Sequence, residues 1–175
     1  MRIFGLDLSL TATGYVLLDD DFVAWYGSVG GGALRDVERL NFFDRWIRQE
    51  LRDKRFDQVG IEGYSFASAN GLPQQGELGG VIKLAIHQAG IPVTIIPPST
   101  WKKLLLGKGN LPKDRVRIEA FKRYGVDFAS QDALDAWAVA MCLRRQLLGL
   151  DKPEPKSRGR RSTTSQKPSL PLPTA

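Results

Sequence analysis

The sequence predicts an α/β fold in which a single sheet is flanked by helices. Two observations lead to this prediction. Five short apolar runs have the length and composition of β-strands, and segments with apolar residues every three or four positions separate or follow the later runs. The first three runs follow one another without a helical segment, so we expect three antiparallel strands before strands and helices alternate.

The predicted strands are short and are bounded by turn residues. In chain order they are Arg2–Asp7, Thr13–Asp19, Phe22–Val29, Gln58–Glu62 and Pro92–Ile96. The acidic residues Asp19, Asp20 and Asp21 join the second strand to the third. We interpret them as a hairpin turn, because they lack the longer spacing of a calcium-binding loop.

Five helices are predicted, at about 34–53, 75–88, 100–106, 113–125 and 131–147. The first has a packing stripe formed by Leu40, Phe43, Ile47 and Leu51. The fourth is expected to bury a face formed by Val116, Ala120, Phe121 and Tyr124. The second contains Gly76, Gly79 and Gly80, whose small size lets another backbone approach closely, either a core neighbour or a partner subunit.

Four carboxylates lie where this fold would bring them together. Asp7 ends the first strand and Glu62 ends the fourth, and groups at the carboxyl ends of neighbouring strands converge on one crevice. Asp132 and Asp135 follow Ser130, a suitable N-cap, and residues three apart share a helix face. Each acid alone has an ordinary structural explanation. Together they would repel one another unless hard divalent cations, Mg²⁺ or Mn²⁺, neutralise them.

Composition limits the other possibilities. With 175 residues, the chain is expected to form one domain at 1–150, followed by a basic, Pro/Ser-rich disordered tail at 151–175. No apolar run is long enough to span a bilayer, and the N-terminus reads as a strand instead of a signal peptide, so we expect a soluble intracellular protein. The single cysteine, Cys142, excludes an intrachain disulfide, and His87 is expected to pack or face solvent.

Positive charge is concentrated in one segment of the chain. The net charge is +6, and the segment from Lys102 to Arg123 alone holds eight basic and two acidic residues. A solvated helix face explains a few of these residues. A basic segment in the same domain as an acidic metal site favours the binding of phosphates, as in nucleic acids.

Four segments carry a resemblance to a known family. They are 5–15 (GLDLSLTATGY), 60–62 (GIE), 102–116 with its Gly-Lys-Gly loop, and 132–140 (DALDAWAVA). In order and spacing they resemble RuvC-type Holliday junction resolvases, including those of phages, within the ribonuclease H-like superfamily. The resemblance implies a five-stranded mixed sheet, with three antiparallel strands and then parallel strands. One departure is Leu8-Ser9 after the first acid, where many bacterial members have Pro-Gly.

The resemblance also implies an activity and a site. Asp7, Glu62, Asp132 and Asp135 would be both the catalytic tetrad and the ligands of two Mg²⁺ ions, with Mn²⁺ able to substitute. The enzyme would be a homodimeric crossover junction endodeoxyribonuclease that nicks four-way and other branched DNA symmetrically, in the cytoplasm of a bacterial cell or a phage-infected host. The predicted DNA-contacting residues are Lys102, Lys103, Lys108, Lys113, Arg115, Arg117, Tyr64 and Phe66.

Alternatives remain open at this stage. A noncatalytic DNA-binding protein on the same scaffold would explain the basic segment but would not need four acids. An RNA-processing nuclease of the same fold would keep both the acids and the charge, so that only the substrate separates it from a resolvase. An actin-like ATPase or a sugar kinase begins with a similar strand and acid, but that fold needs two lobes and a second phosphate-binding loop, for which this chain is too short.

Overall fold

The computed structural model describes residues 1–64 and 72–152. Its five strands are β1 (Arg2–Asp7), β2 (Thr13–Asp19), β3 (Phe22–Val29), β4 (Gln58–Glu62) and β5 (Val93–Ile96). The sheet order is β3-β2-β1-β4-β5; the β3-β2 and β2-β1 pairs are antiparallel, whereas the β1-β4 and β4-β5 pairs are parallel. The predicted α/β fold and mixed sheet are therefore confirmed.

The five helices of the described residues are α1 (Asp36–Asp53), α2 (Leu72–Gln88), α3 (Pro98–Leu106), α4 (Lys113–Tyr124) and α5 (Gln131–Leu147). Helix α2 begins three residues before the predicted start, and α3 begins two residues early because Pro98 is accommodated in the first helical turn. Ser130 caps α5 as predicted, since its side chain accepts a hydrogen bond from the backbone N–H of Ala133 at 3.2 Å.

Two cores lie on opposite faces of the sheet. One joins β1 and β2 to α3, α4 and α5 and contains the buried indoles of Trp101 and Trp137. The other packs α1 and α2 against the sheet, and its members include Phe43 and Ile47 of the predicted α1 stripe. Cys142 is buried in the first core, as expected.

Helix α5 lies directly against the backbone of β1 and β2 because glycines of these strands face it. A Cβ atom built on Gly5 would overlap the carbonyl oxygen of Ala136, and one built on Gly14 would overlap the carbonyl oxygen of Asp132. The absence of side chains at these two positions on β1 and β2 lets the first turns of α5 approach the carboxyl end of β1, where Asp7 lies.

The packing of α4 departs from the prediction at one residue, and the three glycines of α2 differ in their surroundings. Phe121 is expected on the buried face of α4, but 59% of its surface is exposed. Val116 and Ala120 are buried in the core, and Phe121 lies outside that narrow stripe. On α2, the tyrosine ring of Tyr64 occupies the space that a side chain at Gly79 would need. Among the described residues nothing lies within 4 Å of a Cβ atom built on Gly76 or Gly80.

Most of the predicted tail and the predicted DNA contact Phe66 lie outside the described residues. The tail from residue 153 onward and the segment 65–71, which includes Phe66, are not among the described residues. Within 1–64 and 72–152, no helix combines the length and the apolar character that crossing a bilayer requires.

We expect Gly5→Ala to lower the free energy of unfolding by about 1–3 kcal/mol, the range typical of overpacking a core, because the added methyl group meets the α5 backbone. Urea denaturation measures this change. Asn41→Ala is the control: it introduces alanine at an exposed position of α1 and should be neutral or stabilising by roughly 0.5 kcal/mol. Equal effects of the two substitutions would contradict the packing described for α5.

Candidate active site

Parallel pairing places two acids side by side at one edge of the sheet. Leu6 of β1 is in register with Ile61 of β4, so the next residues along each strand are Asp7 and Glu62. Both strands run in the same direction, and both acids lie at their carboxyl ends. This is the edge of an α/β sheet at which functional groups converge.

Helix α5 adds a third acid to this pair. One carboxylate oxygen from each of Asp7, Glu62 and Asp135 can be chosen so that all three oxygens lie within 4.8 Å of one another. Asp132, one helical turn earlier, lines the same cleft and is not part of this three-oxygen cluster. The structure thus brings three of the predicted acids together and leaves the fourth at the margin.

The environment of the cluster disfavours ionised carboxylates. Burial, reinforced by the charges of Glu62 and Asp135, raises the pKa of Asp7 from an ordinary 3.8 to about 9. Burial is also the main reason why the pKa of Asp135 rises to about 7, with Glu62 adding to the effect. Gln131, Lys102 and Lys113 act in the opposite direction on Asp135. A divalent cation would stabilise all three ionised groups, and a set of carboxylate oxygens is the donor set that Mg²⁺ or Mn²⁺ prefers.

Two neutral hydrogen-bond donors hold two of the acids. The indole Nε1 of Trp101 donates to Oε1 of Glu62 at 2.8 Å, and the amide Nε2 of Gln131 donates to Oδ1 of Asp135 at 2.8 Å. Sequence reasoning missed both donors. Gln131 is four residues before Asp135 on one helix, a spacing that could have indicated the pair, but no local signal links Trp101 to a glutamate 39 residues away.

The three acids line a cleft of about 470 Å³, which we call the acidic cleft. Its lining residues are Asp7, Leu8, Ser9, Glu62, Gln75, Pro98, Trp101, Lys102, Lys113, Val116, Gln131, Asp132 and Asp135. Two of the predicted DNA-contacting residues, Lys102 and Lys113, are therefore in the wall of the cleft. They bring positive charge next to the carboxylates.

Among the described residues, the other predicted DNA contacts do not line the acidic cleft, and Phe66 lies outside the described residues. Lys103 borders a separate groove with Ser99 and Gly109, and Lys108 and Arg115 are exposed. Arg117 forms an ion pair with Asp127 at 2.6 Å, which reduces its availability for a phosphate. The hydroxyl of Tyr64 donates to the carbonyl oxygen of Gln75 at 3.0 Å, so this ring packs on α2.

The sheet order and the acidic cleft define a ribonuclease H-like domain with a carboxylate cluster of the kind that binds divalent metals. Similar solved structures support this fold. The chain is similar to Thermus thermophilus RuvC, with a TM-score of 0.73 and 23% identity. The match covers 88% of this chain and 100% of that one. A structure described as T. thermophilus RuvC in complex with Holliday junction substrate gives the same TM-score.

Curated relatives identify the family. Crossover junction endodeoxyribonuclease RuvC of Ruegeria pomeroyi is 30% identical over 149 residues, covering 81% of this chain and 90% of the relative. The enzyme of the same name from Synechococcus is 27% identical over 156 residues, covering 81% of this chain and 96% of the relative. No protein-family model matches the sequence. The chain belongs to the RuvC family of crossover junction endodeoxyribonucleases.

Without divalent cations, we expect the free energy of unfolding to fall as the pH rises from about 5 to 9. Asp7 keeps its proton up to about pH 9 when folded but loses it near 3.8 when unfolded. The folded state therefore binds more protons across this window, and stability is lost as the pH increases. Asp7→Asn should remove much of this loss and raise the Tm at pH 9 by about 3 °C or more.

Thermal melts in EDTA at pH 5, 7 and 9 measure the effect. Asp21→Asn, an exposed carboxylate in the β2–β3 turn, is the control that should leave the pH dependence of wild type unchanged. If the Asp7→Asn protein loses stability with pH as steeply as wild type does, the described cluster is wrong.

Proposed function

We propose that this protein is a metal-dependent endonuclease that resolves Holliday junctions and other branched DNA by paired symmetric nicks. The observation that carries the proposal is the carboxylate cluster of Asp7, Glu62 and Asp135 in a cleft whose wall also contains Lys102 and Lys113. Family membership supports the substrate, since relatives 27% and 30% identical are named crossover junction endodeoxyribonucleases. A noncatalytic DNA-binding protein would have no need for three mutually repelling acids.

Asp7, Glu62 and Asp135 would hold Mg²⁺, two ions per site, with Mn²⁺ able to replace it. Asp132, on the same cleft, would complete the coordination shell or orient a water molecule. When bound, such ions supply a water molecule activated for attack on phosphorus and charge stabilisation for the leaving oxygen. The side chains of the cleft need not form a covalent bond with the substrate.

The lysines of the cleft would bind the DNA strand. Lys113 is exposed and Lys102 half-buried, and both face the cleft that contains the acids. Their positive charge attracts the backbone phosphate to a site where the carboxylates alone would repel it. Exposed Lys108 and Arg115 lie on the neighbouring loop and helix and would extend the contact to flanking phosphates.

We also propose that the protein acts as a homodimer in the cytoplasm, so that two copies of the acidic cleft face the two strands that are cut. Helix α2 offers a surface for such pairing: no described residue lies within 4 Å of a Cβ atom built on Gly76 or Gly80, and Leu84 on the same side is 54% exposed. Small residues beside an exposed leucine allow two helices to pack closely. Tyr64, whose ring packs on α2 of its own chain, and Phe66 are the two aromatic candidates for contact with the junction centre.

Cleavage of a labelled four-way junction tests the function. We expect Mg²⁺-dependent, paired symmetric nicks in the junction and little cutting of linear duplex. Glu62→Gln should reduce cleavage by at least roughly a thousandfold, because it removes a charged ligand whose stabilisation of the transition state is worth several kcal/mol. It should leave junction binding in EDTA unchanged, because no basic residue is altered.

A flap, a linear duplex and an RNA/DNA hybrid complete the panel. Glu38→Gln, which alters an exposed acid on α1, is the control variant. Selective cutting of the RNA strand of the hybrid would favour an RNA-processing nuclease. Junction binding without any metal-dependent nick would indicate a noncatalytic binding protein. If the Glu62→Gln protein cleaves the junction at nearly the wild-type rate, the role assigned to Glu62 is wrong.

A further inference from the structure

The indole of Trp101 connects the acidic cleft to the hydrophobic core. Its side chain is 1% exposed and belongs to the core formed by α3, α4 and α5. Its single polar atom, Nε1, donates a hydrogen bond to Oε1 of Glu62 at 2.8 Å. One edge of the ring is thus in the core, and the N–H reaches a carboxylate of the proposed metal site.

Glu62 needs such a restraint more than its neighbours do. A glutamate side chain has one more rotatable bond than an aspartate, and it lies beside Asp7 and Asp135, whose charges repel it. A partner with a positive charge would compete with the cation for this carboxylate. An indole N–H is a donor without a net charge, so it can fix the carboxylate and leave its negative charge available to a metal.

We propose that Trp101 is a positioning residue that holds the Glu62 carboxylate ready for the metal, an inference that rests on the proposed function. The hydrogen bond restrains one oxygen of Glu62 and thereby limits the directions in which the second can point. Donors behind metal ligands act in this way in other metal sites, and their loss typically reduces metal affinity or activity by about 10- to 100-fold.

The same ring also contacts a lysine of the cleft. Nζ of Lys102 lies 5.4 Å from the centroid of the Trp101 ring, within the range of a cation–π interaction, and donates to the carbonyl oxygen of Leu111 at 3.4 Å. Trp101 therefore touches one group proposed to bind metal and one proposed to bind phosphate. Core filling alone would not require the N–H to face Glu62.

The test compares Trp101→Phe with Trp137→Phe. Both substitutions shrink a buried tryptophan of the same core, and only Trp101 donates to a described carboxylate of the cleft. Mn²⁺ binding to the DNA-free protein is measured by calorimetry, and junction binding is measured in EDTA. We expect Trp101→Phe to weaken Mn²⁺ binding by about tenfold or more and to raise the Mg²⁺ concentration for half-maximal cleavage similarly. Trp137→Phe should change neither.

An isosteric variant separates the hydrogen bond from the shape of the ring. Replacing Trp101 with 3-benzothienylalanine keeps the bicyclic ring and exchanges the N–H for a sulfur atom, so folding should be preserved even if Trp101→Phe is unstable. Weakened Mn²⁺ binding by a folded isosteric variant supports the proposal. Wild-type Mn²⁺ affinity in that variant would overturn it, whatever happens to cleavage.

The two proposals can fail separately. If wild type binds Mn²⁺, the isosteric variant binds it more weakly and neither cuts a junction, then Trp101 positions Glu62 and the proposed substrate is wrong. If wild type cuts junctions and the variant needs no more metal than wild type, the resolvase function stands and the role of Trp101 is wrong.

Discussion

The mutual repulsion of Asp7, Glu62 and Asp135 is the constraint on which the rest of the site depends. Three carboxylates with oxygens within 4.8 Å of one another cannot all ionise without a compensating charge. The metal-free chain responds by raising the pKa of Asp7 to about 9 and that of Asp135 to about 7. Such an arrangement lowers the stability of the metal-free protein. A divalent cation that binds the folded state would restore that stability.

The fold holds this unfavourable cluster together through contacts that do not depend on charge. Parallel pairing of β1 with β4 fixes two acids at adjacent strand ends, and Gly5 and Gly14 allow α5 to approach closely enough to add the third. Neutral donors from α3 and α5 then orient two carboxylates. Lys102 and Lys113 lie in the wall of the cleft, where their charges partly offset the repulsion at Asp135.

Most of the architecture could be predicted from the sequence, because strand composition and helical periodicity are local signals. The five strands, the hairpin at Asp19–Asp21 and the Ser130 cap follow from such signals. The meeting of the acids of β1 and β4 with an acid of α5 does not, and is expected from the convergence of strand ends and from the family resemblance. The exposure of Phe121 and the bond from Trp101 to Glu62 depend on tertiary packing, which periodicity does not encode. Likewise, the pairing of Arg117 with Asp127 was not evident from a count of basic residues.

Anomalous diffraction from crystals grown with Mn²⁺ is the most direct test of whether these acids hold divalent metal. We expect two anomalous peaks about 4 Å apart in the acidic cleft, within coordination distance of oxygens from Asp7, Glu62 and Asp135. Mn²⁺ bound elsewhere, with no peak between these three carboxylates at saturating concentration, would contradict it.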